Sequence, residues 1–295
     1  MDTLTTKAAP TPAQQKKRAR RAQGLLRAAI QLVFFVLAPS LFTSTFTAVK
    51  QFFTAVGASA PLHWTGFAAV FTALCGFTVL FGRFFCGYAC AFGSLGDAVY
   101  GLSSFLRKRA KKKPLHLPKA LTRVLRYLPY LILTAIVLLC ALGVYGSFTG
   151  WSPWDVFSMA TTLHLRLSGY ALGALLLVLI LIGMAVESRF FCRFLCPMGA
   201  VFRLLPILPW AVLGRDRESC LKGCSACTRN CPMDVELGVG QNAGDCIRCG
   251  KCTGACPKEN IRATKHLRGN ELWLTACKAL LLLGAAWLRG AVRFF

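Results

Sequence analysis

The chain has 295 residues, of which 55% are hydrophobic, and it carries a formal net charge of +24 at pH 7. Its mean hydropathy of +0.53 is too high for an ordinary soluble domain, so the sequence predicts a membrane protein surrounded by lipid. A positive charge of this size also suits nucleic acid, but the basic residues stand beside apolar segments and no nucleic-acid-binding signature accompanies them. We therefore expect no nucleic acid as a partner.

Five apolar segments follow along the chain. Four carry no charge, and each is near the ~20 residues that cross a ~30 Å hydrocarbon core. The fifth, 272–288, contains Lys278 and either spans with that lysine snorkelling to the surface or lies flat at the interface. We expect four transmembrane helices and leave the fifth open. The four uncharged segments are 28–49, 64–82, 128–148 and 168–186.

Lysine and arginine are concentrated in the tail 1–22 and the linker 106–122, whereas the loops after the first and third apolar segments hold few. Cytoplasmic loops of membrane proteins carry an excess of these two residues. The bias predicts a multi-pass protein of the bacterial cytoplasmic (inner) membrane. It places the N-terminus, the linker and the ferredoxin segment 213–268 on the cytoplasmic side and leaves the side of the C-terminus open.

A motif, R-F-F-C-x3-C-x2-G, occurs twice, and its copies begin at Arg83 and Arg189, 106 residues apart. Each copy follows the second helix of a two-helix unit. We therefore expect two parallel repeats, 23–105 and 123–212, related by a pseudo-twofold axis.

The motif cysteines are candidate ligands. Cysteines four residues apart on a helix share one face, so two pairs related by the axis would gather four thiols near the cytoplasmic ends of the helices. Thiolates suit an iron–sulfur cluster, zinc or copper(I), and a third iron–sulfur cluster is the simplest prediction. The alternative is that the cysteines are buried packing residues. They are Cys86, Cys90, Cys192 and Cys196.

Eight further cysteines lie in the segment 213–268, in two groups that each end in Cys-Pro. The second group reads C-x2-C-x2-C-x3-C-P, the spacing by which bacterial ferredoxins hold [4Fe–4S] clusters. We expect a small α+β ferredoxin domain with two [4Fe–4S] clusters, in which the cysteine before each proline binds the other cluster. A structural zinc site would use two C-x2-C pairs separated by a longer loop. A disulfide framework would need an oxidising compartment. The first cluster is assigned Cys220, Cys224, Cys227 and Cys256, and the second Cys246, Cys249, Cys252 and Cys231.

The sequence indicates the site where electrons enter less clearly than it indicates the cluster ligands. A quinol site needs an apolar slot, an aromatic ring and a proton acceptor, which the loop holding Trp151, Trp154 and Asp155 offers. An interfacial tryptophan belt would look the same. His63 and His164 are alternative acceptors or solvated loop histidines. The remaining cysteines stand alone in apolar stretches and are expected to be packing residues: Cys75, Cys140 and Cys277.

Together these motifs resemble those of the NapH/NosR/CcoG-type membrane polyferredoxins over residues 25–268. The sequence departs from that pattern at Ala91, where the family often has proline, and by three rather than two residues between Cys220 and Cys224. The resemblance implies electron transfer between a quinol or flavin donor and an acceptor on another protein, with the motif cysteines as cluster ligands. No covalent-flavin motif is evident, so any flavin or quinone is expected through a partner.

The predicted architecture is a membrane α-helical protein of two parallel two-helix repeats plus a di-cluster ferredoxin domain. The predicted function is that of an electron-transfer subunit of an oxidoreductase, with a flavoprotein, a ferredoxin or a reductase subunit as its partner. A redox-active assembly or sensing protein, for instance one that reduces metal for oxidase maturation, is the alternative, and a plain ferredoxin anchor is a third. The predicted domains are 1–22 (basic tail), 23–105 and 123–212 (repeats), 106–122 (linker), 213–268 (ferredoxin) and 269–295 (C-terminal apolar helix).

Overall fold

The computed structural model describes residues 11–288 except 62, 113–116, 149, 162–168, 217, 238–242 and 264–270. The first half of the described chain consists of helices. A capping box at Thr11, with proline in the first turn, begins the long first helix. These helices are α1 (Pro12–Leu37), α2 (Leu41–Gly57), α3 (Gly66–Phe81), α4 (Phe84–Tyr88) and α5 (Ala91–Arg109).

The first apolar segment is bent, and the prediction of one continuous helix over 28–49 is wrong. α1 ends at Leu37 and α2 begins at Leu41, with a bend of 60° between them. The cause is Pro39, which has no N–H to donate and disfavours helical conformation in the residue before it. Ala38 accordingly leaves the helical region, with φ −139° and ψ 52°.

The second half repeats the order of the first. In each half an apolar helix is followed by a five-residue helix that carries the first motif cysteine, and then by a helix that begins directly after the second motif cysteine. The helices are α6 (Lys119–Leu125), α7 (Leu128–Ala141), α8 (Pro153–Thr161), α9 (Ala171–Val186), α10 (Phe190–Phe194) and α11 (Pro197–Leu204), with 3-10 turns at Tyr145–Phe148 and Pro209–Ala211.

The ferredoxin segment, residues 213–268, combines two short strands with short helices. Its strands pair antiparallel, with Gly214 opposite Arg262. This small mixed structure agrees with the α+β type expected for a ferredoxin. Its elements are β1 (Leu213–Arg215), α12 (Ala226–Arg229), the 3-10 turn Ala243–Asp245, α13 (Lys251–Ala255) and β2 (Ile261–Ala263), followed by the apolar helix α14 (Glu271–Leu288).

Two helices in the described residues are long and apolar enough to cross a membrane, namely Ala120–Ala141, which joins α6 and α7, and α14. The bent pair α1–α2 is a third candidate when its arms are counted as one broken span. α3 and α9 are apolar but have 16 residues each, about 24 Å at ~1.5 Å per residue, less than the ~30 Å hydrocarbon core. The chain has candidate membrane-spanning helices, and the arrangement of four crossings stays a prediction.

The core lies where the two halves meet. α5 packs on α9, and α2 packs on both α3 and α7. Aromatic rings fill this junction, with the Phe92 centroid 4.6 Å from that of Phe191 and 5.4 Å from that of Phe42. The same core includes the four motif cysteines and four apolar side chains of the ferredoxin segment, so it positions the two sets of cysteines together: Met233, Val235, Ile247 and Cys249.

Candidate metal centre

The four motif cysteines of the repeats are buried, each with 6–7% of its surface exposed. Cys86 and Cys192 lie within α4 and α10, whereas Cys90 and Cys196 are the N-cap residues of α5 and α11. The prediction that each pair lies on one helical face is therefore wrong, because a turn separates the two members. Pro197 accounts for the turn in the second copy, since the residue before a proline favours extended backbone.

The structure brings these cysteines of the two repeats together. Burial raises the pKa of the Cys90 thiol, and the neighbouring Cys192 and Cys86 raise it further. Burial likewise raises the pKa of Cys196, with added contributions from Cys192, Cys86 and Cys90. Each second-position thiol thus faces thiols of the other repeat.

The glycine of each motif supports the thiol before it. The Gly199 N–H donates to Cys196 Sγ at 3.1 Å, and the Gly93 N–H lies close enough to Cys90 to lower the pKa of its thiol. A Cβ on Gly93 would overlap Arg189 Nη1 and lie 2.9 Å from the Cys86 carbonyl oxygen. Glycine is therefore required at this position by close approach of the other repeat.

The arginine that opens each motif reaches across to the other repeat. Arg189 Nη1 donates to the carbonyl of Cys86 at 2.5 Å and lies 3.9 Å from Cys192 Sγ. Arg83 Nη2 lies 3.8 Å from Cys86 Sγ and next to Gly199, where a Cβ would be 3.3 Å away. Two buried guanidinium groups therefore face the four thiols.

Asp97 of α5 neutralises one of these arginines. Its carboxylate accepts from Arg189 Nε at 3.0 Å and Nη2 at 2.5 Å, from Arg27 at 2.5 Å and from Gln31 at 2.8 Å. Burial alone would raise the pKa of Asp97, but the charges of Arg189 and Arg27 outweigh it and lower the pKa to about 2. The carboxylate is thus charged at neutral pH.

In the ferredoxin segment, one apolar cavity is lined by the four cysteines assigned to the second cluster, together with apolar side chains such as Leu213 and Met233. Burial raises the pKa of the Cys246 thiol to about 11, and Cys249 and Cys231 act on it as neighbours. Cys231, which belongs to the first group in sequence, therefore lies among the cysteines of the second. The four are Cys231, Cys246, Cys249 and Cys252.

The other four ferredoxin cysteines surround Arg215 and Asn260. Arg215 Nη1 donates to Cys227 Sγ at 3.2 Å, and its charge also interacts with Cys220 and Cys224. Asn260 bridges to the second group, because its Nδ2 donates to Cys220 Sγ at 3.4 Å while its Oδ1 accepts from Cys256 at 3.2 Å.

The arrangement of the cysteine thiols differs from that of a site for a single metal ion. Within the described residues, no three His, Cys, Asp or Glu side chains close around one metal ion. A structural zinc ion holds its sulfur ligands at about 2.3 Å in a tetrahedron. None of the fifteen cysteines forms a disulfide. A larger group bound from the walls of the site, such as an iron–sulfur cluster with thiolate ligands, suits the donor set.

Comparison with known proteins gives the same class of cofactor. The family model described as "4Fe-4S binding domain" matches residues 62–114 and 170–210, which contain the two membrane motifs. An uncharacterized protein of Methanocaldococcus jannaschii is 33% identical over 60% of this chain and 62% of its own length. The ferredoxin-type protein NapH of Escherichia coli is 28% identical over 62% of each chain. Protein NirI of Paracoccus denitrificans is 29% identical over 61% of this chain and 26% of its own.

The chain resembles the NapH-type polyferredoxins and carries a match to their class of 4Fe-4S binding domain. Similarity to these proteins covers about three fifths of the chain and less than two thirds of both the first relative and NapH. No solved structure matches it.

The residues suggested for quinol binding do not share one site in the structure. Trp154 packs in the core, with its ring centroid 5.2 Å from that of Phe46, whereas Trp151 is 55% exposed and packs on Phe148. Asp155 lies in the first turn of α8. His63 is exposed, and His164 lies outside the described residues. The two tryptophans thus have different partners rather than a common slot.

Four charged residues of the site do not follow from the cysteine spacing: Arg83, Arg189, Asp97 and Arg27. Two of them were visible as the first letter of the repeated motif. Their repetition at the same distance from cysteine was the available signal. Cys140 is buried among apolar residues and Cys75 packs against the same core, in keeping with a packing role.

Proposed function

We propose that this protein is an electron-transfer subunit of the bacterial cytoplasmic membrane, with two [4Fe–4S] clusters in its ferredoxin segment and a third iron–sulfur cluster between the repeats. Cys86, Cys90, Cys192 and Cys196 would hold the third cluster. Such clusters supply one-electron transfer at potentials set by charge, hydrogen bonds and exposure.

The observation that carries the third cluster is the charge around its cysteines. A fully buried guanidinium without a counter-charge is costly, and so is a buried thiolate. Arg83 and Arg189 face the thiols, and the Gly199 N–H donates to Cys196 Sγ. These donors offset part of the cost of burying the ionised sulfur that a cluster requires.

Crossed ligation in the ferredoxin segment is supported by the grouping of its cysteines. Cys231 lines the same cavity as the second group, and Asn260 connects Cys256 with Cys220 of the first. We assign Cys220, Cys224, Cys227 and Cys256 to one cluster and the cavity cysteines to the other.

The three sites would form a series. Cys249 belongs to the apolar core that contains the repeat cysteines, whereas Cys252 belongs to a second core with Cys227 and Cys256. The second cluster would therefore stand between the membrane cluster and the first. Cys220 and Cys224 are partly exposed, so a redox partner protein would dock at this end.

The orientation follows from the basic segments. An excess of lysine and arginine near α1 and after α5 favours a cytoplasmic position for both, and the ferredoxin segment contacts α1 directly. The partner would be a flavoprotein, a ferredoxin or a reductase subunit, and the donor on the membrane side a quinol or a flavin.

The test is the iron content of full-length protein carrying C90S and C196S together. Wild-type protein should hold more iron than the about eight atoms of two [4Fe–4S] clusters. The double variant should fall to that value and lose one EPR signal. The matched control, C75S with C140S, removes two cysteines of the same core and should change neither. Equal iron content in wild type and the double variant would exclude the third cluster.

A further inference from the structure

Arg83 occupies an unusual position among the charged residues of the chain. Its side chain is 1% exposed. Nη2 lies 3.8 Å from Cys86 Sγ, and Nη1 donates to the Gly244 carbonyl at 3.1 Å, two residues before Cys246 of the ferredoxin segment. Among the described residues, none forms a hydrogen bond with Arg83 Nε. One guanidinium therefore stands between the membrane cysteines and the second ferredoxin group.

The charge of Arg83 has no carboxylate to balance it in the described part of the chain. The equivalent Arg189 is held by both oxygens of Asp97. The ionisable groups that act on Arg83 are the thiols of Cys86, Cys196 and Cys192. A buried cation with sulfur as its only anionic neighbour is stable when those sulfurs, or the group they bind, are negative.

We propose that Arg83 is a positioning residue that sets the reduction potential of the intramembrane cluster, an inference that rests on the third cluster proposed above. Reduction adds an electron, and so a negative charge, to the cluster. A cation held close by in a low-dielectric site stabilises the reduced form more than the oxidised form and raises the potential. Arg189 acts less, since its guanidinium is paired with the Asp97 carboxylate.

The test is an EPR-monitored redox titration of purified full-length protein with dithionite and ferricyanide. R83Q should lower the midpoint potential of the third centre and leave those of the two ferredoxin centres in place. R83K, which keeps the charge, should return the potential toward the wild-type value. R203Q is the matched control, because Arg203 pairs with Asp245 on the same 3-10 turn that Arg83 contacts and has no contact with the membrane thiols.

The outcomes separate this inference from the proposed function. A third signal whose potential is the same in R83Q and wild type overturns the role of Arg83 and leaves the third cluster standing. Absence of a third signal from wild type overturns both. If R83Q loses the centre, R83K decides: retention of the centre near its wild-type potential supports the charge role, and its loss shows that shape rather than charge is required.

Discussion

The two copies of the R-F-F-C-x3-C-x2-G motif hold their cysteines alike but balance their arginines differently. Six residues beyond Cys90 and Cys196 respectively, the chain has Gly96 and Phe202, and the next position is Asp97 in one copy and Arg203 in the other. Asp97 binds Arg189 and the Arg27 side chain of α1. Arg203 instead binds Asp245 of the ferredoxin segment, at 2.7 Å.

The difference shows how two copies of one motif come to contact different parts of the chain. The cysteines, the glycines and the crossed arginines belong to the shared framework, so both copies keep them. The seventh residue after the second cysteine differs between the copies and carries opposite charge. Asp97 connects the first copy to α1, and Arg203 connects the second copy to the ferredoxin segment. One consequence is that only one of the two crossed arginines has a carboxylate partner in the described residues.

The largest expected effect comes from D97N, which removes the charge that two buried arginines share. Leaving a buried cation without its partner costs about 3–5 kcal/mol. We expect D97N to lower the free energy of unfolding by about that amount, measured by thermal or denaturant unfolding in detergent. D245N is the control in the other copy. In the described residues Asp245 pairs with one arginine rather than two, so its loss should cost less than that of Asp97.

The pH dependence of the same pair sharpens this prediction. The pKa of Asp97 is lowered to about 2 in the folded protein, compared with about 3.9 in an unfolded chain. The stabilisation by Asp97 is therefore fully present above about pH 4 and is lost as the pH falls toward 2. Wild type and D97N should converge in stability over that interval, and a constant difference down to pH 2 would contradict the ion pair.

An intermediate effect is expected at the motif glycines, and it should be unequal. G93A places a methyl group against Arg189 and the Cys86 carbonyl, so we expect a loss of about 1–3 kcal/mol and reduced iron in the third centre. G199A meets Arg83 at 3.3 Å and should cost less. G101A, in open space on the same helix as Gly93, should be neutral or stabilising. Equal effects of G93A and G199A would contradict the asymmetry.

The smallest effect is expected from A91P, which gives the first copy the proline of the second. Ala91 is the first residue of α5, and Cys90 before it has φ −71° and ψ 120°, the extended conformation that precedes proline. We expect stability within about 1 kcal/mol of wild type and unchanged iron content. S94P, which removes the N–H bonded to the Cys90 carbonyl, should cost about 3 kcal/mol. Loss of iron from A91P would show that the two turns are not interchangeable.

The sequence could identify the repeat, the cysteine groups and the positions of most apolar helices, because these depend on local spacing and composition. Segments 64–82 and 168–186 contain α3 and α9, and 272–288 lies within α14. Pro39 inside the first apolar segment was a visible sign of the break there, and the turn between the paired cysteines of the first copy had no such sign.

The charged part of the site could not be predicted from spacing. Asp97 and Arg189 are 92 residues apart, and Arg83 and Gly244 are separated by 161. No periodic pattern connects such residues, since their contact depends on how α5 packs on α9 and on where the ferredoxin segment docks. Spacing identifies candidate ligands, whereas the balance of buried charge around them requires the packed structure.

The contact between α1 and the ferredoxin segment joins two parts of the chain that are far apart in sequence. Lys16 donates to the Cys256 carbonyl and Arg20 to the Gly254 carbonyl, across 240 and 234 residues. Contacts so distant in sequence form late in folding. α1 can close over residues 250–256 only after the ribosome has released them. Until that closure, α1 does not cover the ferredoxin cysteines from its side.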